Sequence, residues 1–323
     1  MEYKIGFSIG SLLTIKDSIN FASKIEKKDS VDSIWVPESW GKEAFSTLGA
    51  ISQVTKKSKL GTSIINIYSR TPATIAMGAI SIDKLSNHRM IIGLGTSTLP
   101  IVENLHGLKY ERPLTRMKEY IESIKLLVKS QEKIHYNGDV VKINNFKISD
   151  NLTQDIPVYI AAVHEKMVQT GLKYADGLIL YLRPINEIKE TLNEIRKESK
   201  KRISMVLITS VSNNNPNMAK ERAAKTLAFY IAVGKVYYNF LLKTEYKTDV
   251  QNIFKTYHNH GINKAIKYVS TKMLDDFVVY GSVNDCINQI KRFINAGIDI
   301  PILQINPVTN NNGEIETKDF LDL

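Results

Sequence analysis

Apolar and polar positions alternate in repeating blocks along this chain. Residues 3–9 read as a strand that stops at Gly10-Ser11, and Ile19, Ala22 and Ile25 then fall on one helical stripe between Asp17 and Lys28. The couplet recurs. Residues 33–36, 59–67, 89–94, 157–161, 177–180, 202–211 and 301–305 read as further strands, with helical spacing between them, as in Ala44, Leu48, Ile51 and Val54. A loop is expected through Pro100 and Gly107, and a helix over 113–130 opens on Pro113, where helix starts tolerate proline. Two segments break the rhythm. Tyr136-Asn137-Gly138-Asp139 predicts a small β-hairpin within 134–148, and residues from about 216 to 275 are helical for longer than one crossover needs, so they read as an insertion.

Eight strands joined by helices predict a (β/α)8 TIM barrel in one domain spanning 1–323. A doubly wound open sheet would use the same local units, but the count favours the barrel. In a barrel the chemistry lies at the C-terminal strand ends. Here these are Ser8, residues 36–38, 63–66, 95–98, 161–164 and 180–182. The third strand is the most unusual, because Leu60, Ile64, Ile65 and Ile67 suit a buried strand while Gly61, Thr62, Ser63 and Asn66 interrupt it.

Composition narrows the function classes. Apolar residues make up 43% and charged residues 24%, ordinary for a globular protein. With 43 Lys and Arg against 33 Asp and Glu the formal charge is +10, yet many lysines stand beside acids, and no basic stretch is interleaved with aromatics. A solvated surface is expected rather than a nucleic-acid partner. No basic leader with a long apolar run opens the chain, and no run reaches the roughly 18 residues of a membrane span. A cytoplasmic protein with no membrane partner is expected.

Candidate chemistry is sparse. The Gly93-Leu94-Gly95 pair lacks the third glycine of a dinucleotide fingerprint, since Thr98 stands there, leaving either close approach of a planar ligand or a loop turn. Glu38 could bond a ligand ring or be a plain loop acid, with Trp35 and Trp40 flanking it. His164 and Lys166 open a helix where an anion could bind, or cap it with a solvated Lys. His258 and His260 point apart on a helix, so no metal is expected. Cys286, the single cysteine, falls within the last helix and reads as structural. A rim of small polar residues and glycines without nucleophile or metal suits an organic cofactor that carries the chemistry.

The chain resembles the bacterial-luciferase-like superfamily, and within it the coenzyme F420-dependent methylenetetrahydromethanopterin reductases. The resemblance runs nearly end to end, through Ser33-Ile34-Trp35-Val36-Pro37-Glu38, Gly61-Thr62-Ser63-Ile64, Tyr68-Ser69-Arg70-Thr71-Pro72, Ile91-Ile92-Gly93-Leu94-Gly95, Ile156-Pro157-Val158-Tyr159-Ile160-Ala161-Ala162, Ala175-Asp176-Gly177 and Gly281-Ser282-Val283-Asn284-Asp285-Cys286. It implies a hydride-transferring oxidoreductase with the deazaflavin at the barrel mouth, FMN being the alternative cofactor. It also implies a non-prolyl cis bond between Ser63 and Ile64 beneath the ring. The ring-contacting carboxylate falls on Glu38 and the ring-proximal Asn on Asn66. Backbone and tail contacts fall on Gly95, Ala161, Ala162, Val163 and His164. No catalytic acid or base is identified beyond Glu38, because Ser8, Thr98 and Ser39 stand where relatives carry Glu, Asp and His. An organic small-molecule substrate, a pterin first, and a homo-oligomer (dimer or tetramer) are expected. An FMN-dependent monooxygenase and a cofactor-binding barrel without turnover are the rival readings.

Overall fold

The computed structural model describes residues 3–10, 12–149, 154–309 and 312–323, and divides into two compact units, Met1–Ile179 and Leu180–Leu323. The first unit runs β1 (Ile5–Ser8), α1 (Ile15–Ile25), β2 (Val31–Val36), α2 (Ala44–Val54), β3 (Lys59–Thr62), β4 (Ile65–Asn66), α3 (Pro72–Leu85) and β5 (Met90–Gly95). It continues with α4 (Pro113–Lys129), the antiparallel hairpin β6 (Ile134–Asn137) and β7 (Lys142–Phe146), β8 (Val158–Ala161), α5 (Glu165–Tyr174) and the start of β9 (Gly177–Tyr181). Parallel ladders join β1 to β2, β2 to β3, β3 to β5, β5 to β8 and β8 to β9. The strands are buried almost throughout, so they read as apolar runs rather than alternations.

Local chemistry starts the helices where they are needed. Thr14 accepts the Asp17 N–H ahead of α1, and Thr71 accepts the Thr74 N–H ahead of α3, whose first residue is Pro72. The hairpin is held by Glu119 of α4, whose buried carboxylate accepts N–H groups from Asp139, Val140 and Val141, each at 2.8 Å.

The second unit holds α6 (Ile185–Glu198), β10 (Arg202–Val211), α7 (Pro216–Val233), α8 (Lys235–Leu241), α9 (Lys247–His260), α10 (Ile262–Ala265), α11 (Thr271–Phe277), β11 (Val279–Gly281), α12 (Val283–Asn295) and β12 (Ile300–Ile305). β10 pairs in parallel with both β11 and β12. Leu227, Ile231, Val250, Ile253 and Phe277 are buried in a shared apolar cluster of its helices. A capping box of Ser282 and Asp285 opens α12, after Gly281 turns at φ +114°. Cys286 is buried in α12.

The eight parallel strands β1, β2, β3, β5, β8, β9, β10 and β12, with intervening helices, are those of a (β/α)8 TIM barrel. The expected strand over 59–67 is not continuous: it divides into β3 and β4 around a cis bond between Ser63 and Ile64. The expected loop near Pro100 contains a π-helical turn, Ile101–Leu105. β11 and the short antiparallel pair β13 (Val308–Thr309) and β14 (Ile315–Glu316) carry too few residues to show a period.

Candidate functional site

The first unit gathers most of the nominated residues at the C-terminal ends of its strands. Gly61 lies opposite Ile91, and Ile65 lies opposite Leu94, so four steps along β3 and β4 match three along β5. One residue is therefore extra, which is a bulge. Thr62 spans it: its Oγ1 donates to Gly93 O at 2.9 Å and accepts the Gly93 N–H at 2.8 Å. On the other side Ser63 N–H donates to Val36 O at 3.0 Å and Glu38 N–H to Ile64 O at 3.2 Å. The bulge is held from both flanks, with Ser63 and Ile64 half-exposed at its crest.

Two glycines make room for it. A Cβ on Gly95 would fall 2.5 Å from Ile64 Cγ1, and one on Gly93 would fall 1.8 Å from Thr62 O. The space over both is taken by the chain itself. Trp35 is likewise buried in the core, over Gly61 and donating to Ser33 Oγ at 2.8 Å, whereas Trp40 is exposed.

Glu38 lies at the exit of β2. Arg70 Nε donates to its Oε1 at 2.9 Å, Arg70 Nη2 to its Oε2 at 2.8 Å, and the Ala44 N–H to Oε2 at 3.1 Å. The same Nη2 reaches Glu43, and the guanidinium stands over the Phe45 ring at 5.3 Å. The Glu38 hydrogen bonds and then its charge raise the Arg70 pKa. Burial works to raise Glu43, but the hydroxyl and N–H of Ser46, the N–H of Phe45 and Arg70 together hold it below the usual carboxylate range.

Asn66, buried at the end of β4, accepts the Tyr68 N–H on Oδ1 at 3.0 Å, while its Nδ2 is buried with no hydrogen-bond partner among the described residues. Tyr68 stacks on Tyr110 at 5.1 Å with Arg116 over its ring, and burial pushes its phenol up to about 12. Ser8 Oγ lies 3.3 Å from Ser63 Oγ. Leu94 is opposite Ile160, so Gly95 and Ala161 follow side by side on adjacent strands. Ala161 and Val163 are half-buried, Ala162 is buried with its N–H on Ile179 O at 3.1 Å, and the exposed His164 precedes α5, whose first turn includes the exposed Lys166. His258 packs against Phe254 and Tyr257, and among the described residues no group of three or more His, Cys, Asp or Glu could hold a metal. None of the described helices is long and apolar enough to cross a membrane.

Sequence reasoning nominated Glu38 but not Arg70 or Glu43, which complete its surroundings. The pair spans 32 residues, and Arg70 entered the sequence reading only within the Tyr68-Ser69-Arg70-Thr71-Pro72 motif ahead of a helix start, with no role attached.

A family model described as luciferase-like monooxygenase matches residues 8–299. The chain is 25% identical over 292 residues to a 5,10-methylenetetrahydromethanopterin reductase of Archaeoglobus fulgidus, covering 87% of each. Its fold is similar to the coenzyme F420-dependent tetrahydromethanopterin reductase of Methanopyrus kandleri, with a TM-score of 0.80 at 19% identity over 94% of this chain and 93% of that one. It is also similar to an F420-dependent secondary alcohol dehydrogenase in complex with an F420-acetone adduct, with a TM-score of 0.70 at 18% identity over 94% and 93%.

Proposed function

The chain belongs to the luciferase-like monooxygenase family, and from that premise we propose that it is a coenzyme F420-dependent oxidoreductase acting on an organic substrate, with methylenetetrahydromethanopterin or a related pterin as the leading class. One observation carries the reading: the bulge at Ser63 and Ile64 presents a half-exposed crest beside Asn66, whose buried Nδ2 has no partner among the described residues. A flat heterocycle edged with carbonyl and ring-nitrogen acceptors fits an unspent amide donor there. The relatives' names supply the cofactor: F420 recurs in those of the two solved structures above.

When bound, the deazaflavin supplies or accepts the hydride, and the protein's part is positioning. Ser63, Ile64 and Asn66 would hold the ring. Glu38, fixed by Arg70, bounds the site as an oriented carboxylate. The strand end at Ala161, Ala162, Val163 and His164 would give backbone and rim contacts for the rest of the cofactor, and Gly95 would contribute through the room it leaves for Ile64. Ser8 and Thr98 offer hydroxyls where the reductases carry carboxylates, so this chain brings its substrate to the ring without an acid at those places.

Anaerobic titration of the protein with F420 and with FMN, followed by fluorescence, tests the reading. F420 is expected to saturate at least about tenfold below FMN, a difference of about 1.4 kcal/mol. Tighter FMN binding, with oxygen uptake when air is admitted to the reduced complex, would replace the reading by a flavin monooxygenase, and indifference to both would overturn it. Tight F420 binding with no turnover of any carbon donor would leave a binding protein.

A further inference from the structure

In the second unit, α7 sets Arg222, Thr226 and Tyr230 four residues apart on one face. Thr226 Oγ1 donates to Asn306 Oδ1 at 3.0 Å, Asn306 Nδ2 to Gln304 O at 2.8 Å, and Gln304 Nε2 to the Tyr230 hydroxyl at 3.3 Å. Tyr181 Oη closes the chain on Gln304 Oε1 at 2.8 Å. These groups, at and just past the C-terminal end of β12, satisfy one another.

The Thr226 hydroxyl also reaches the Arg222 main-chain carbonyl at 3.1 Å, but the Arg222 side chain stands outside that network. Its Nε is shut away from water, and among the described residues it has no hydrogen-bond partner and no carboxylate pairs with the side chain. The neighbouring cation Lys225 is paired with Glu221 at 2.8 Å. The residue as a whole is only half-buried, and its terminal nitrogens are not fully shut away and make no hydrogen bond among the described residues. Burial alone, with no nearby charge opposing it, lowers its pKa. A guanidinium with a packed stem, no counter-charge and an open outer edge is prepared for two oxygens of one anion.

We propose that Arg222 is an anion-binding residue, holding a carboxylate or phosphate group of a small molecule at the β12 end of the second unit. The assignment goes beyond the cofactor reading and does not depend on it. The Thr226–Asn306–Gln304–Tyr230 network then serves as the polar wall next to the bound anion. Carboxylate and phosphate share the geometry that a guanidinium edge reads, and two probes separate them.

The test uses the full chain, labelled with nitrogen-15, and follows the arginine side-chain Nε–H correlations during titration with inorganic phosphate and, separately, with glutarate. Chloride keeps the ionic strength constant, and the Arg222→Lys spectrum identifies the resonance. Calorimetry then compares the unaltered chain with Arg222→Gln. A saturable shift of the Arg222 resonance is expected, with affinity at least tenfold weaker in Arg222→Gln at an unchanged circular dichroism spectrum and melting temperature. Saturation by phosphate alone assigns a phosphate group, and by glutarate alone a carboxylate. No saturable response to either probe in both measurements, or equal affinity in Arg222→Gln, would overturn the assignment. Should Arg222→Gln fail to fold, the response of the unaltered chain decides.

Discussion

Glu38 and Arg70 meet through a two-point fork, with Nε to Oε1 at 2.9 Å and Nη2 to Oε2 at 2.8 Å. Their side chains are only 13% and 20% exposed, so each screens the other from a poorly hydrated setting. Arg70→Met should destabilise the protein by about 2 kcal/mol, because it leaves the mostly buried Glu38 carboxyl group without its two-point partner. Glu43→Gln, at a site 40% exposed, should cost under about 1 kcal/mol. Urea unfolding of the two variants checks the order, and equal losses would contradict it.

Room for Ile64 is a property of Gly95. Gly95→Ala places a methyl 2.5 Å from Ile64 Cγ1 and should destabilise by about 1–3 kcal/mol. Ile64→Ala in the same chain should return part of that loss, a coupling of about 1 kcal/mol in a double-mutant cycle. Gly93→Ala should be worse than Gly95→Ala, since the obstructing atom is the Thr62 backbone carbonyl, which cannot rotate away as a side chain can.

The hairpin on α4 should be acid-sensitive. Burial works to raise Glu119, but the three N–H groups of the turn hold it below its ordinary 4.5. A carboxylate lowered in the folded state adds stability that is fully present above its unfolded value and is lost as pH falls through the folded one. Hydrogen exchange of Asp139, Val140 and Val141 should therefore accelerate as pH drops below about 4.5, after correction for intrinsic rates. Glu119→Gln should lose about 1–3 kcal/mol at neutral pH and show no such step.

Cys286 is fully buried, and burial raises its thiol pKa. The folded protein should not react with Ellman's reagent over an hour at pH 8, and one thiol per chain should appear in denaturant. Rapid reaction of the native chain would show α12 to be open to solvent.

The (β/α)8 rhythm was legible because buried strands and amphipathic helices leave different periods, and all eight barrel strands stand where apolar runs predicted them. The β3–β4 break was not legible from periodicity. Thr62 before Ser63, and Ile64, Ile65 and Ile67 after it, favour extended backbone, and only the resemblance of Gly61-Thr62-Ser63-Ile64 pointed to the cis bond found there. Short elements such as β11 carry too few residues for any period. Arg70 escaped notice for another reason: its role is a contact between two loops, and neither loop's sequence describes the other. Arg222 is the same case in reverse, since its interest lies in a partner that the folded chain does not provide.

Thr62 has a consequence for how a parallel barrel can open at one rung. By donating to Gly93 O and accepting from Gly93 N, its hydroxyl acts as a surrogate peptide group at the point where the main chains part company. The two strands diverge with no bare seam between them, and neither the carbonyl nor the amide of Gly93 is left to seek water or another chain. A hydroxyl on a β-branched residue does this while keeping the strand's own preference for extended backbone. Threonine at this rung therefore joins two demands that serine or valine could each meet only by half.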